Sequence, residues 1–338
     1  MDKNTLIGAL LIGAVLIGFT WFSKPDPTQS PAPSPQDTTQ LVTQAPAPVA
    51  GATVADSASL DSLGAPVLPP YLQPAQERIV ELKNEKLSVK LSTKGGAPVE
   101  AVLADYLDQS KKPVHLFRKG DARLDLPLRT LENRLVSTAD ANFSVVESTD
   151  STAVLRMQID DVAYLDYAYK LRPADYRVDL VIRGHELRRF LPVNIALQDI
   201  EWTQRIPQQE QSWKFEGQYS GVYYHFPQGD VDRLETTSES SEDVQETLRW
   251  VAFKDKYFSS ALIASATGFK DNKLSIKAAK EGSGYVRDCS FKGTFPISIK
   301  ETETVLPFTF FFGPNDYDLL RGYDAGVSKE EALHLDHL

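Results

Sequence analysis

The chain has 338 residues, 42% of them hydrophobic and 10% aromatic, with a single Cys and a formal net charge of −10. That composition is too polar for a polytopic membrane protein and too aromatic for a disordered chain. The acidic balance argues against nucleic acid as a partner, since tracking a phosphate backbone needs a basic face, and one Cys excludes a disulfide framework or a Cys-based zinc ribbon.

Thr5 to Phe22 is an uncharged run of 18 residues. At 1.5 Å per residue a helix there reaches roughly 27 Å, close to the thickness of a hydrocarbon core. The residues expected to span a membrane include Thr5, Leu6, Leu10, Val15, Phe19, Trp21 and Phe22. A cleaved secretory signal is the competing reading. The run ends in aromatic residues suited to a membrane interface rather than in an Ala-x-Ala site, so an uncleaved anchor over residues 1–23 is expected. Asp2 offsets Lys3, and only the α-amine tips the balance toward a cytoplasmic N-terminus.

Residues 24–75 hold 11 of the 21 prolines, many Ala, Ser, Thr and Gln, and four aspartates against one lysine. Pro-Ala-Pro runs at Pro31 to Pro35 and Pro46 to Pro48 remove backbone donors and favour extended conformations, so this stretch reads as a disordered linker. As a flexible coil its ends lie about 40 Å apart, and as an extended polyproline helix about 160 Å.

From Gln76 the dominant signal is period two. Leu87, Val89 and Leu91 alternate with polar residues, as do Leu155, Met157 and Ile159. Leu165, Tyr167, Tyr169 and Leu171 form one face, Arg172-Pro173-Ala174-Asp175 turns, and Tyr176, Val178, Leu180 and Ile182 return as a hairpin. Leu306, Phe308, Phe310 and Phe312 alternate with Val305, Pro307, Thr309 and Phe311, predicting a strand apolar on both faces, with Pro307 marking an edge or a bulge. Residues 76–327 therefore read as one mainly β domain, a large antiparallel sandwich. Asp316 to Tyr323 suits a short helix. Ser328-Lys329-Glu330-Glu331 has the form of a capping box, which predicts that residues 328–338 open a C-terminal helix.

The sequence offers no catalytic, cofactor-binding or metal constellation. Gly217-Gln218-Tyr219-Ser220-Gly221 places its serine fourth, whereas a nucleophile elbow needs it third. Gly282-Ser283-Gly284 lacks the lysine and helix of a phosphate loop and reads as a hairpin turn. Asp160 and Asp161 point to opposite faces of a strand and cannot flank one glycosidic bond. His334 and His337 share a face of the predicted terminal helix without a third ligand at diagnostic spacing. Cys289 reads as a small strand residue. Between Asp230 and Glu246 lie seven acids, Asp230, Asp232, Glu235, Glu239, Glu242, Asp243 and Glu246, against one base, Arg233. This segment reads as an exposed loop held open by like charge, or as a docking surface for a basic partner. The aromatic cluster that follows it, Trp250 to Phe258, reads as core.

Several short segments occur in a familiar order: Met1-Asp2-Lys3-Asn4-Thr5 opening into a span, the Pro-rich linker, Ser92-Thr93-Lys94-Gly95-Gly96, Phe215-Glu216-Gly217-Gln218-Tyr219-Ser220-Gly221, Trp250-Val251-Ala252-Phe253-Lys254 with Tyr257-Phe258, and Phe312-Gly313-Pro314-Asn315. Together they resemble the N-terminal part of the YidC membrane protein insertases, in particular their Bacteroidetes branch, with Gly95, Gly96, Tyr219, Gly221, Trp250, Phe253, Tyr257, Phe258, Gly313 and Pro314 carrying the match. The resemblance implies a first transmembrane helix entering from the cytoplasm, a periplasmic β-supersandwich similar to galactose mutarotase, and a terminal helix leading toward further spans. It implies a bacterial inner-membrane location and work on nascent membrane proteins through a membrane core expected to be missing from this chain. The implied partners are the bilayer and Sec translocon components such as SecDF and SecYEG. A periplasmic carbohydrate-binding or mutarotase-like protein is the alternative, and it predicts His and carboxylate side chains converging in one concave site.

Overall fold

The computed structural model describes residues 68–234, 238–265, 267–328 and 331–338. The expected membrane anchor, most of the linker and Glu235 lie outside the described residues. Among the described residues no helix is long and apolar enough to cross a membrane.

Among the described residues the alternating segments form twenty strands. The first eight are β1 (Ile79–Lys83), β2 (Leu87–Ser92), β3 (Pro98–Leu107), β4 (Pro113–Phe117), β5 (Ala122–Asp125), β6 (Pro127–Arg129), β7 (Leu135–Ser137) and β8 (Ser144–Ser148). Then come β9 (Thr152–Gln158), β10 (Tyr164–Leu171), β11 (Arg177–His185), β12 (Leu197–Pro207), the short helix α1 (Trp213–Gly217), β13 (Gly221–His225), β14 (Val231–Arg233) and β15 (Glu239–Val244). The rest are β16 (Trp250–Lys254), β17 (Phe258–Ala264), β18 (Lys270–Ala278), β19 (Tyr285–Pro296), β20 (Glu303–Pro314) and helix α2 (Tyr317–Gly322).

Two large antiparallel sheets dominate, a nine-stranded one ordered β14-β13-β16-β17-β20-β11-β10-β9-β8 and a five-stranded one ordered β15-β18-β19-β12-β5. The predicted hairpin is β10 with β11, in the register Tyr167 opposite Ile182 and Tyr169 opposite Leu180. The sheets meet through aromatic rings: Trp202 on β12 stacks on Phe253 of β16 at 4.0 Å and meets Phe310 of β20 edge-on, while Phe295 of β19 packs on Phe308. Burial of rings this large dominates the core, and truncating Trp202 to Ala would cost about 3–5 kcal/mol. A four-stranded sheet, β1 to β4, adds a further layer through Phe117 against Phe312 and Tyr106 against Phe258.

Strand β20 is buried on both faces from Phe308 onward, as its sequence predicts. Phe308, Phe310 and Phe312 face the other sheets, and Phe311 packs on Tyr176 and on Tyr323 beyond α2. The edge position expected from Pro307 is not found, because β20 runs between β17 and β11. The last pair with β17 is Phe308 opposite Ala264, and Ser265 N donates to Pro307 O at 3.3 Å. The nitrogen of Pro307 therefore faces the side where β17 has already ended, so its missing N–H breaks no ladder bond.

Ordered packing begins before Gln76: Tyr71 is buried against Phe190, and its carbonyl accepts from Asn142 N at 2.8 Å. At the other end α2 forms where expected, capped by the Asp316 carboxylate on Leu319 N. The helix expected from Ser328 does not form in the described residues. Ser328 O accepts from Glu331 N and Ala332 N, but Asp324 then captures the amides of Leu333 and His334, His334 turns left-handed at φ +51°, and a 3-10 turn of Leu335–His337 follows. Arg249 and Trp250 take the carbonyls of Glu331 and Leu333. Side chains from elsewhere in the fold thus satisfy the backbone groups that a helix would have paired internally.

Candidate partner-docking surface

The five-stranded sheet carries an open cleft of about 800 Å³. Arg123, Gln204, Arg205, Ser275, Lys277 and Asp288 contribute to its lining, and Glu239 to Ser241 of edge strand β15 form its rim. One of its charge pairs is internal: Arg205 Nε donates to Asp288 at 2.9 Å while its guanidinium lies 3.7 Å over the Tyr285 ring. Tyr285 Oη donates to Asp121 at 2.7 Å, and this hydrogen bond is the chief reason that its phenol titrates above the ordinary range. Histidine does not appear among the lining residues, so the His and carboxylate convergence expected of a mutarotase-like site is not found there. Cys289 also borders the cleft, but it is buried and burial pushes its thiol well up, which leaves it an unreactive strand residue.

Much of the acidic segment, expected as a loop, is strand in the described residues. Asp232 lies on β14, the edge of the nine-stranded sheet, and Glu239, Glu242 and Asp243 lie on β15, the edge of the five-stranded sheet. Asp230 and Glu246 flank these strands and are exposed. Tyr224 of β13 donates to Glu242 Oε2 at 3.0 Å, so the acids gather at one corner where the edges of two sheets approach. The alternation here is weak because both strands lie half in solvent, and charge concealed them. Acidic side chains on an edge also block strand addition by another chain.

Three of the segments that carry the family resemblance meet, those around Gly221, Trp250 and Asn315. Gly221 on β13 pairs with Lys254 on β16, and His225 with Trp250. Ser220 Oγ donates to Asp255 Oδ1 at 3.1 Å, Asn315 Nδ2 donates to the Asp255 carbonyl at 3.1 Å, and Ser259 Oγ donates to Asn315 Oδ1 at 2.7 Å. Glu216 is fully buried and accepts from the amides of Gln209 and Glu210 at 2.9 and 3.1 Å. Burial raises the pKa of both Glu216 and Asp255, and the Glu216 charge raises Asp255 further. Trp250, Phe253, Phe258 and Gly313 are buried at this end of the sandwich, beside Pro314. Gly95 and Gly96 make the turn between β2 and β3 at φ +84° and +67°.

The expected core cluster splits. Tyr257 is exposed, as are Phe215 of α1 and Tyr219 just beyond it, whose rings lie 5.2 Å apart. Lys256 Nζ sits 4.6 Å from the Phe215 ring and 4.3 Å from that of Tyr257. Sequence reasoning missed Phe215 and Lys256, and the signal for the pair of rings was their i, i+4 spacing. Exposed rings beside an ammonium have the chemistry of a protein interface.

Fold and surface together define an antiparallel β-sandwich with a charged cleft, an acidic corner and an exposed aromatic patch. Residues 79–338 match the YidC periplasmic domain, and the chain belongs to that family. It is 43% identical to the membrane protein insertase YidC of Porphyromonas gingivalis and 33% identical to that of Parabacteroides distasonis, in each case over its whole length. It spans about half of those relatives, 55% and 56% of their lengths. Among solved structures it is similar to a galactose mutarotase related enzyme from Lactobacillus acidophilus, at 8% identity and a TM-score of 0.43, covering 70% of this chain and 97% of that one. A galactose mutarotase-like protein from Lactobacillus casei gives 10% identity and a TM-score of 0.42 over 70% and 100% of the two chains. Identity this low transfers no activity.

Proposed function

We propose that this chain is the anchored periplasmic part of a membrane protein insertase of the bacterial inner membrane, and that its task is partner docking and support. The N-terminus lies in the cytoplasm, the span over residues 1–23 crosses the bilayer, and the Pro-rich linker from residue 24 up to the packing of Tyr71 holds the sandwich away from it. Nascent membrane proteins are handled by the portion of the relatives outside the half that this chain spans. The docking partners are components of the Sec translocon, SecDF or SecYEG.

The observation supporting docking is the acidic corner at two free sheet edges beside the cleft. A basic partner surface gains long-range attraction there, through side-chain charge rather than strand addition. Photocrosslinkers at Asp232 and Glu242, in membranes, should capture a Sec component, whereas one at Glu281 should not. Equal capture at all three positions, or none at the first two, would reject this surface.

The cleft supports a second reading, binding of a carbohydrate to its charged and hydroxyl groups. Calorimetry with a panel of hexoses tests it, and absence of heat at millimolar sugar removes it.

A further inference from the structure

Beyond the docking surface, His334, Asp336 and His337 are drawn together by the turn that replaces the expected terminal helix. One ligand-capable atom from each lies within 4.8 Å of the other two. Sequence spacing showed two histidines without a third ligand, and the 3-10 turn of Leu335–His337 supplies Asp336. Nε2 of His334 and Oδ1 of Asp336 are buried and have no hydrogen-bond partner among the described residues. A buried imidazole nitrogen and carboxylate oxygen left unpaired carry a desolvation penalty, which a bound cation would relieve.

The turn is held from outside. Asp324 accepts from the amides of Leu333 at 2.6 Å and His334 at 2.7 Å, Trp250 Nε1 donates to Leu333 O at 2.6 Å, and Arg249 donates to Glu331 O at 2.9 Å. The position of His334 is therefore fixed by the sandwich rather than by its own segment. A Cβ placed on Gly229 would lie 3.7 Å from His334 Nε2, so the glycine leaves room at that nitrogen. The ring of His225 stands 5.4 Å from that of His334, and both of its nitrogens are buried without a partner among the described residues.

We propose that His334, Asp336 and His337 form a binding site for a divalent transition-metal ion, with Zn²⁺ as the preferred occupant. Two imidazoles and one carboxylate are a borderline-soft donor set, unsuited to Ca²⁺ or Mg²⁺, which take oxygen ligands. Tetrahedral Zn²⁺ at about 2.1 Å from each donor needs them about 3.4 Å apart. Side-chain rotation, freest at the exposed His337, would have to close the difference. The fourth position is left for water or for His225.

The full chain, purified in detergent and stripped with EDTA, should be titrated with ZnSO₄ by calorimetry and with CoSO₄ by visible absorption. Expected are one saturable Zn²⁺ site and the intense Co²⁺ bands of a tetrahedral site. His337→Ala, at an exposed position, should weaken Zn²⁺ by at least about tenfold, since even outer contacts to a metal site cost 10–100-fold, and the H334A/H337A pair should abolish binding. His185→Ala, in another part of the fold, should change nothing. Absence of saturable Zn²⁺ binding, or an affinity kept within about twofold by His337→Ala with an unchanged circular dichroism spectrum, overturns the proposal.

Discussion

Ser220 donates a 3.1 Å hydrogen bond to the Asp255 carboxylate, tying the end of the α1 segment to the turn between β16 and β17. Asp255 also accepts from Lys256 N at 2.6 Å, and the buried Glu216 carboxyl stands close enough to raise its pKa. Both acids titrate above the ordinary carboxylate range, chiefly because burial penalises the charged form.

The sign of the resulting pH dependence follows. A carboxyl raised in the folded state holds its proton longer than in the unfolded chain, so folding takes up protons. The associated stability is complete below the unfolded value of about 4 and is lost as pH rises through the folded values. Asp255→Asn removes the like charge and keeps an acceptor for Ser220. In urea unfolding between pH 5 and pH 9, its advantage over the wild type should grow with pH, and parallel curves would show that the pair does not share a titration.

Gly95 takes φ +84°, and a Cβ there would stand 2.8 Å from the carbonyl oxygen of Ala139. Gly120 takes φ +94° with nothing within 4 Å. Gly120→Ala should cost only the conformational term, about 1–2 kcal/mol. Gly95→Ala should cost clearly more, because a backbone carbonyl cannot swing aside as a side chain can. Unfolding midpoints at one pH decide it.

Cys289 serves as a native opening probe. It is buried on β19 and burial pushes its thiol well up, so a disulfide reagent should react at a negligible rate in buffer and stoichiometrically in urea. Fast reaction without denaturant would mean that β19 opens locally.

Trp250→Phe keeps a ring against His225 but removes the donor to Leu333 O. The net loss in stability should be about 0.5–1.5 kcal/mol. Hydrogen exchange of the Leu333 and His334 amides should accelerate more than that of β16 itself, and equal acceleration would show that the bond is not local in its effect.

At the acidic corner, Asp232→Asn with Asp243→Asn should leave unfolding free energy within about 0.5 kcal/mol, since both positions are exposed. If the acids dock a basic partner, its capture should fall and lose its dependence on salt. If they only guard the edges, capture should persist and the variant should instead self-associate, which sedimentation measures.

The sequence by itself determined the class of fold, the β10–β11 hairpin and the two-faced burial of β20. Period two reports which side of a strand meets the core, and that is a local property. The resemblance carried by the Gly95, Tyr219, Trp250 and Gly313 segments was also legible, because order and spacing survive in the chain. Tertiary structure alone decided that Pro307 lies inside a sheet, since its nitrogen is tolerated only because β17 ends beside it. It decided that Asp232, Glu239, Glu242 and Asp243 lie on two sheet edges, for strand pairing is set by distant partners such as β13 and β18. It decided, too, the end of the described chain. The capping box at Ser328 promised a helix, but Asp324, Arg249 and Trp250 offered its backbone groups closer partners, and the turn they enforce brings His334, Asp336 and His337 together.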